Sequence, residues 1–333
     1  MTFVSLPLDK TLRFRALDAI LKSLPGDPAG NTPILDVGGF PGDFAAFHGG
    51  RGRVITVDLP PCRRPDYVQA TATALPFADL TFPVVVSSDA LEHVPPGDRD
   101  RFVAECMRCA ARFVIIGCPA ASPAVLECEE ALREVHGLLS ATPHPWLDEH
   151  HRFGLPDVAG VTAMLKQAGA ADVAVIRAGA LRPWLYLNAW GIIGEAVPAV
   201  LPLERAAARI VEFLEQQDVL AAGPLCYRVF FLGAKNEPLP PAVVSRITSR
   251  QRWSDEQCEA ELAVLREMAL DFRECAEALK AHLAPGGGRS AEAAGDEAYI
   301  RRLEDLLNAV AERKAGGKER LPERLLKRLG LKR

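Results

Sequence analysis

The sequence predicts an α/β fold: an open, doubly wound, mainly parallel sheet followed by a helical C-terminal extension. Three observations carry this expectation. Short apolar runs alternate with amphipathic helical patterns up to about residue 235. The first of those runs ends in a glycine-rich turn, ILDVGGFPGDF. After the proline-rich break NEPLPP no strand pattern recurs. Apolar strands separated by helices are the signature of a parallel sheet covered on both faces.

The elements follow in order. Leu8, Leu12, Ala16, Ile20 and Leu21 lie at near-helical spacing, and Pro25-Gly26 stops that helix. Strands are expected at ILDV (34–37), VITVDL (54–59), FPVVVSS (82–88), RFVIIGCP (112–119), ADVAVIRA (171–178) and YRVFFLGA (227–234). DRDRFVAECMRCA and LPDVAGVTAMLKQAG read as helices between strands. The crossover rule makes the βαβ units right-handed. PWLYLNAWGIIGEAVPAVLPL (183–203) carries one charge, Glu195, and is interrupted by Pro198 and Pro202. It reads as part of an inserted helical cap over 183–220 rather than a membrane span, since prolines break the helix. Trp184, Tyr186 and Trp190 suit either a core or a belt facing a greasy acceptor.

The α/β domain is therefore expected over 1–235. A linker (236–253), a heptad-bearing helix (254–283), a flexible linker (284–296), a second helix (297–315) and a basic amphipathic tail (316–333) follow. Leu262, Leu265, Ala269, Phe272, Ala276, Leu279 and Leu283 follow steps of three and four, which is a coiled-coil seam. The expectation is self-association through 258–283, with the second helix or the chain's own domain as other partners. The last sixteen residues hold seven basic and two acidic residues, which suits weak contact of 318–333 with an anionic membrane surface.

Composition narrows the class. The chain has 333 residues, 49% hydrophobic and 25% charged, with a formal net charge of −4. These values exclude a chain disordered throughout, a collagen-like repeat and a small disulfide scaffold, and they give no warrant for a nucleic-acid partner. The start, MTFVSLPLDKTLRFR, lacks a secretory pattern, so the eight cysteines are expected as cytosolic thiols. Cys106 and Cys109 share one helical face, and with no second pair at suitable spacing no structural zinc site is expected.

The chemistry concentrates at the first strand's end. Gly38, Gly39 and Gly42 allow a tight turn and close approach of a ligand. The dinucleotide pattern GxGxxG fails at Phe40 and Asp43. Asp36 would repel a pyrophosphate and suits a ligand carrying positive charge. Asp58 ends the second strand, where a carboxylate can accept from both ribose hydroxyls.

With ALPFADLTFPVVVSSDALEHV and RFVIIGCP following ILDVGGFPG and VITVDLP in order, residues 10–235 resemble the class I S-adenosylmethionine-dependent methyltransferases, of the methyltransferase type 11 kind. The resemblance implies a Rossmann-like, seven-stranded sheet and S-adenosylmethionine as cofactor. It also implies that Asp36, Gly38, Gly39, Phe40 and Gly42 hold the methionine part and Asp58 the ribose. Thr71, Ala72 and Leu75 would lie along the adenine, and Asp89 and Ala90 beneath the sulfonium. Phe40 stands where the family often has glycine, and Thr71 where it often has aspartate. A hydroxyl acceptor needs a base, and histidine suits that role near neutral pH. His93, His136, His144, His150 and His151 are the candidates, with His93 and His150 taken as catalytic. In TPHPWLDEHHRFGLPD, His144, Trp146 and His151 are taken as substrate-binding, against the alternative of a packed, solvated loop. His144, Glu149 and His150 lack a recognised ligand spacing, so no metal is expected.

The expected activity is O-methylation of a sugar or other small hydroxyl. In layout the chain resembles methyltransferases of bacterial surface-polysaccharide assembly, which places it in the cytoplasm or peripherally at the inner membrane face. Methylation of a lipid or quinone, and a degenerate fold serving as a scaffold through its coiled-coil tail, are the alternatives.

Overall fold

The computed structural model describes residues 8–26, 33–49, 52–196, 224–248 and 253–283. Seven strands form one sheet: β1 (Ile34–Val37), β2 (Val54–Asp58), β3 (Tyr67–Gln69), β4 (Phe82–Ser88), β5 (Ala110–Pro119), β6 (Asp172–Ala180) and β7 (Cys226–Ala234). Their order is β3-β2-β1-β4-β5-β7-β6. All pairings from β3 to β5 are parallel, and β7 runs antiparallel to both β5 and β6. The doubly wound, mainly parallel expectation is met, and strand order reverses beside β1, between β1 and β4.

Two layers of helices cover the sheet, as its apolar strands require. On one face, α1 (Leu8–Ser23), α2 (Asp43–His48) and α8 (Pro241–Thr248) bury Phe14, Leu17, Phe44 and Ile247 against β1, β4, β6 and β7. On the other, α3 (Arg99–Cys109) and α6 (Val158–Gln167) bury Phe102, Met107, Val161 and Leu165. Cys106 and Cys109 sit in this second layer, and none of the eight cysteines is in a disulfide. The side-chain oxygen of Asp157 accepts from Gly160 N and sets the start of α6.

A third cluster lies beyond the sheet's edge. There α4 (Pro123–Leu139), α5 (Leu147–Phe153), α7 (Leu181–Ala196) and α9 (Asp255–Leu283) pack together. Trp190 and Phe272 meet edge-on with ring centroids 5.9 Å apart.

Three expectations change. The seam of α9 does not await another copy: Leu265, Met268, Phe272 and Ala276 are buried against α4 and α7 of the same chain. Arg266–Glu127 and Arg273–Glu134 ion pairs, at 2.7 and 3.2 Å, flank that contact, and Arg182 pairs with Glu261. The reason is that α7 is apolar nearly all round, so it must be covered on several sides. Second, the 236–253 linker contains α8, whose Val243 and Ile247 are buried. Third, the 183–220 cap narrows: its described part is α7, and of the two alternatives for Trp184, Tyr186 and Trp190 the core one holds, all three being buried. Residues 197–220 of that cap, and the expected elements over 284–296, 297–315 and 316–333, lie outside the described residues. Among the described residues, no helix is long and apolar enough to cross a membrane.

Candidate active site

A cavity of about 330 Å³ opens at the carboxyl ends of the strands, beside the reversal in strand order. This is where open α/β sheets bind ligands. Its wall draws on α1, the β1 turn, the β4 turn, α5, α7 and the start of β7.

The β1 side is built from Asp36, Gly38, Gly39 and Phe40. Gly38 has a φ of 77°, and a Cβ there would overlap the methyl of Ala90. A Cβ on Gly39 would overlap the Asp36 carboxylate. Glycine is therefore required twice, once by backbone conformation and once by proximity. Asp36 is 3% exposed, and its Oδ2 has no hydrogen-bond partner among the described residues. Burial pushes its pKa up to about 7, against the lowering pull of Arg13. A buried carboxylate so little compensated is a natural partner for a cationic ligand group.

Asp58 stands on the far side of Phe40 and is not part of the cavity wall. Its Oδ2 accepts from Phe40 N at 3.0 Å and its Oδ1 from Leu59 N at 2.7 Å. The carboxylate is thus oriented by backbone, with lone pairs left toward the partly open surface. Gly42 starts α2 with φ 97°, and its carbonyl accepts from Arg64 at 3.2 Å. Thr71 and Ala72 follow β3 at the same edge as Asp58, whose carbonyl accepts from Ala70 N. Thr71 is exposed and its hydroxyl is 2.9 Å from that of Thr73. Leu75 is a correction. Its side chain lies in the core beneath the sheet's α3 face, and its N–H donates to Glu105. It packs rather than facing a ligand, because it is the apolar anchor of an otherwise polar turn.

The β4 turn supplies Asp89, Glu92 and His93. Asp89 has a φ of 52°, uncommon for any residue but glycine and tolerated best by Asp and Asn. Although burial pushes its carboxyl up, Arg13 and Arg228 hold it well below the usual range. Arg13 Nη1 lies 2.6 Å from Asp89 Oδ2, while Arg228 donates to both Asp89 and Asp9. Glu92 is 1% exposed with no such compensation: burial first, and then Asp89, push its pKa well up.

Two imidazoles complete the wall, and each is held by a carboxylate. His93 Nδ1 is 2.8 Å from Glu149 Oε2, and His150 Nδ1 is 2.9 Å from Glu129 Oε1. A carboxylate only accepts, so both Nδ1 atoms carry the proton and both Nε2 atoms are lone-pair donors. Tyr227 also donates to Glu129, at 2.8 Å. Burial, and next the neighbouring His150, lower the pKa of His93. The ring centroids of His93 and His150 are 5.0 Å apart. Arg99, buried, donates to the carbonyls of Glu92, Val94 and Gly154, and so ties the β4 turn to the end of α5.

Of the expected acceptor residues, Trp146 lines the cavity, its ring centroid 5.4 Å from that of His150. His144 and His151 do not. His144 is buried edge-on between His136 and Trp146, with both centroid separations 4.8 Å. Burial pushes its pKa down to about 4, so it packs as a neutral ring. His151 projects outward, its side chain 66% exposed, because it follows His150 on a helix and must face the other way. His144, Glu149 and His150, from which no metal site was expected, are not grouped as ligands; Glu92, His93 and His150 are, each offering one ligand atom within 4.8 Å of the others. Sequence reasoning missed the contributions of Asp9, Arg13, Glu129, Tyr227 and Arg228. Glu129 had one visible signal, an acid on the buried stripe of an amphipathic helix.

Comparison with known proteins agrees with this geometry. Residues 35–113, from β1 to β5, match the family model for a methyltransferase domain. An uncharacterized methyltransferase of Mycobacterium sp. strain JLS is 42% identical over 78 residues, covering 20% of this chain and 31% of that protein. A second, from strain KMS, matches to the same extent. The chain thus spans about a third of the length of the curated relatives it matches. Among solved structures, the YcgJ protein of Bacillus subtilis shows 16% identity and a TM-score of 0.40, over 67% of this chain and 99% of that one. A SAM-dependent methyltransferase of Archaeoglobus fulgidus shows 14% identity and a TM-score of 0.41, over 69% and 95%. Over residues 35–113, which run from β1 into β5 beside the cavity, the chain is thus similar to methyltransferase domains.

Proposed function

We propose that this chain transfers a methyl group from S-adenosylmethionine to a hydroxyl of a small polar acceptor, a sugar being the class that fits best. One observation carries the reading. The cation-seeking wall of Asp36, Gly38, Gly39 and Phe40 and the carboxylate-held imidazoles of His93 and His150 share one cavity. Asp36 supports the cofactor independently of the family match: its buried, unneutralised carboxylate suits a ligand bearing ammonium and sulfonium charges. Asp36 and the turn 38–40 would hold the methionine part, and Asp58 the ribose. When bound, the cofactor supplies a methyl on a cationic sulfur, already electrophilic and with a good leaving group.

The chain's own residues then position and deprotonate the acceptor. His93 is the more open of the two imidazoles, with its side chain 34% exposed, and its lowered pKa keeps Nε2 unprotonated near neutral pH. Glu149 fixes the ring and stabilises the imidazolium that forms when His93 takes the proton. Trp146 offers an aromatic surface to a sugar ring, while Lys10 and Asn188 offer donors. At about 330 Å³, shared with the methionine part of the cofactor, the cavity leaves room for a small acceptor only. The polar lining speaks against a quinone or lipid. The scaffold reading loses its motive, since α9 spends its apolar face on its own domain.

Calorimetry with S-adenosylmethionine tests the cofactor assignment: folded protein should bind it at micromolar concentration, and absence of binding at high micromolar would sink the reading. Release of S-adenosylhomocysteine with a panel of monosaccharides and nucleotide sugars, against quinols and lipids, tests the acceptor class.

A further inference from the structure

We propose that Glu92, His93 and His150 form a binding site for one divalent transition-metal ion in the wall of the cavity. The claim stands on three independent features. The first is proximity across the fold: Glu92 and His93 come from the turn after β4 and His150 from α5, yet their ligand atoms lie within 4.8 Å of one another. Ligands about 2.0–2.2 Å from a common ion stand roughly 3–3.5 Å apart, so the set closes on an ion by small side-chain rotations.

The second feature is that these atoms have nothing else to do. Glu92 and His150 are 1% and 4% exposed, and Glu92 Oε2 and His150 Nε2 have no hydrogen-bond partner among the described residues. Two buried polar atoms facing one another in this state are costly unless a ligand satisfies them.

The third is orientation. Both imidazoles have Nδ1 against a carboxylate, Glu149 and Glu129, which leaves the Nε2 lone pair of each neutral ring free for a ligand. Metal-bound histidines are commonly held by such an outer carboxylate, which fixes the tautomer and raises the basicity of the ligating nitrogen. Here the outer shell is itself braced, by Tyr227 on Glu129 and by Arg99 across Glu92 and Gly154. The neighbouring Asp89 is already matched by Arg13 and Arg228, so Glu92 is the carboxylate of this turn that lacks a cation.

Two nitrogens and one carboxylate select manganese, iron, cobalt or zinc over magnesium or calcium. Three protein ligands leave open positions on the cavity side, as catalytic rather than structural sites do. Resting on the methyltransferase reading, the ion would take the acceptor hydroxyl as a further ligand and lower its pKa, the proton passing to solvent water while the oxygen–methyl bond forms and the sulfur–methyl bond breaks. In that state His93 Nε2 is a ligand rather than the base.

The test is titration of EDTA-stripped, dialysed full-length protein with Mn²⁺, which disfavours the chain's thiols, read by loss of the free-ion electron paramagnetic resonance signal. One Mn²⁺ per chain is expected, held at micromolar concentration. Glu92→Gln and His150→Ala should weaken it at least tenfold, Glu129→Gln about tenfold, and His136→Ala not at all, with circular dichroism and melting in EDTA confirming each fold. Wild-type protein that leaves Mn²⁺ free at 1 mM, or a folded Glu92→Gln that binds like wild type, overturns the proposal. Calorimetry with S-adenosylmethionine on the same samples separates the two readings. Mn²⁺ binding without cofactor binding would sink the methyltransferase assignment and leave the metal site, and the converse would do the opposite.

Discussion

In the cluster of α4, α7 and α9, Trp184 stacks on Tyr227 with centroids 3.7 Å apart, Trp190 meets Phe272, and Leu265, Met268 and Ala276 fill the space between helices. Across Trp184 lies the cavity wall. There Asp36, Glu92 and His150 are just as buried, yet each presents a polar atom with no partner among the described residues. The two regions touch and obey opposite rules. The helical cluster lowers the free energy by removing apolar surface from water, at about 25 cal/mol per Å². The wall raises it, by roughly 1–3 kcal/mol for each unpartnered group. Burial alone therefore does not mark a functional residue. Unpartnered carboxylate and imidazole atoms gathered at a cavity wall do, because a ligand in that cavity can offset their cost, whereas Tyr186 and Trp190 leave single unpartnered atoms inside the apolar cluster.

The contrast makes predictions of opposite sign, and the largest concerns α9. A stop codon after residue 253 removes Leu265, Met268, Phe272 and Ala276 from the core. At about 1.5–3 kcal/mol for each large side chain, that should cost roughly 6 kcal/mol or more. Urea denaturation and solubility would show it; a truncated protein as stable as the full chain would mean that α9 is an appendage after all. Trp190→Ala should cost about 3–5 kcal/mol by the same measurement, because a 2%-exposed indole leaves a large void.

Asp36→Asn should do the reverse. The folded-state pKa of Asp36 is about 7, raised from 3.8. Between those values the unfolded chain has released the proton and the folded one has kept it, so stability falls as pH rises and stays low above about 7. The asparagine variant should therefore be more stable than wild type by roughly 1–3 kcal/mol at pH 8. That difference should vanish near pH 4, as thermal melts across pH would show. The same variant should bind S-adenosylmethionine at least tenfold more weakly by calorimetry, and wild-type affinity should fall as pH drops through 7. A destabilised variant with normal affinity would return Asp36 to a structural role. Smallest of all, Thr71→Ala should change stability by less than about 0.5 kcal/mol, as expected of an exposed side chain. A loss of cofactor affinity would place its hydroxyl at the adenine.

Much of the fold was legible. All six expected strands were placed to within two residues at each end, and ILDV and FPVVVSS to the residue, because apolar runs bounded by turn residues are local signals. The strand β3 was not, since three residues show no periodicity. The β1 wall of the cavity was legible because it lies in one continuous turn, DVGGF, whose residue types follow from backbone geometry and charge. The opposite wall was legible only in part. His93 and Trp146 were placed, while His144 and His151 were assigned to a cavity they do not face.

What the chain's own order determined was which segments are strands, where the glycine turn falls, and that a lone carboxylate at a strand tip calls for a cation. These are properties of neighbouring residues, set by sterics, periodicity and charge within a few positions. Only the tertiary structure decided which side chains share a solvent-excluded space. Arg228 reaches Asp89 across 139 residues, Tyr227 reaches Glu129 across 98, and His150 reaches Glu129 across 21. It likewise decided that the heptad face of α9 belongs to its own domain. Hydrophobic burial is indifferent to which apolar surface it meets, so the seam's spacing alone could not name its partner.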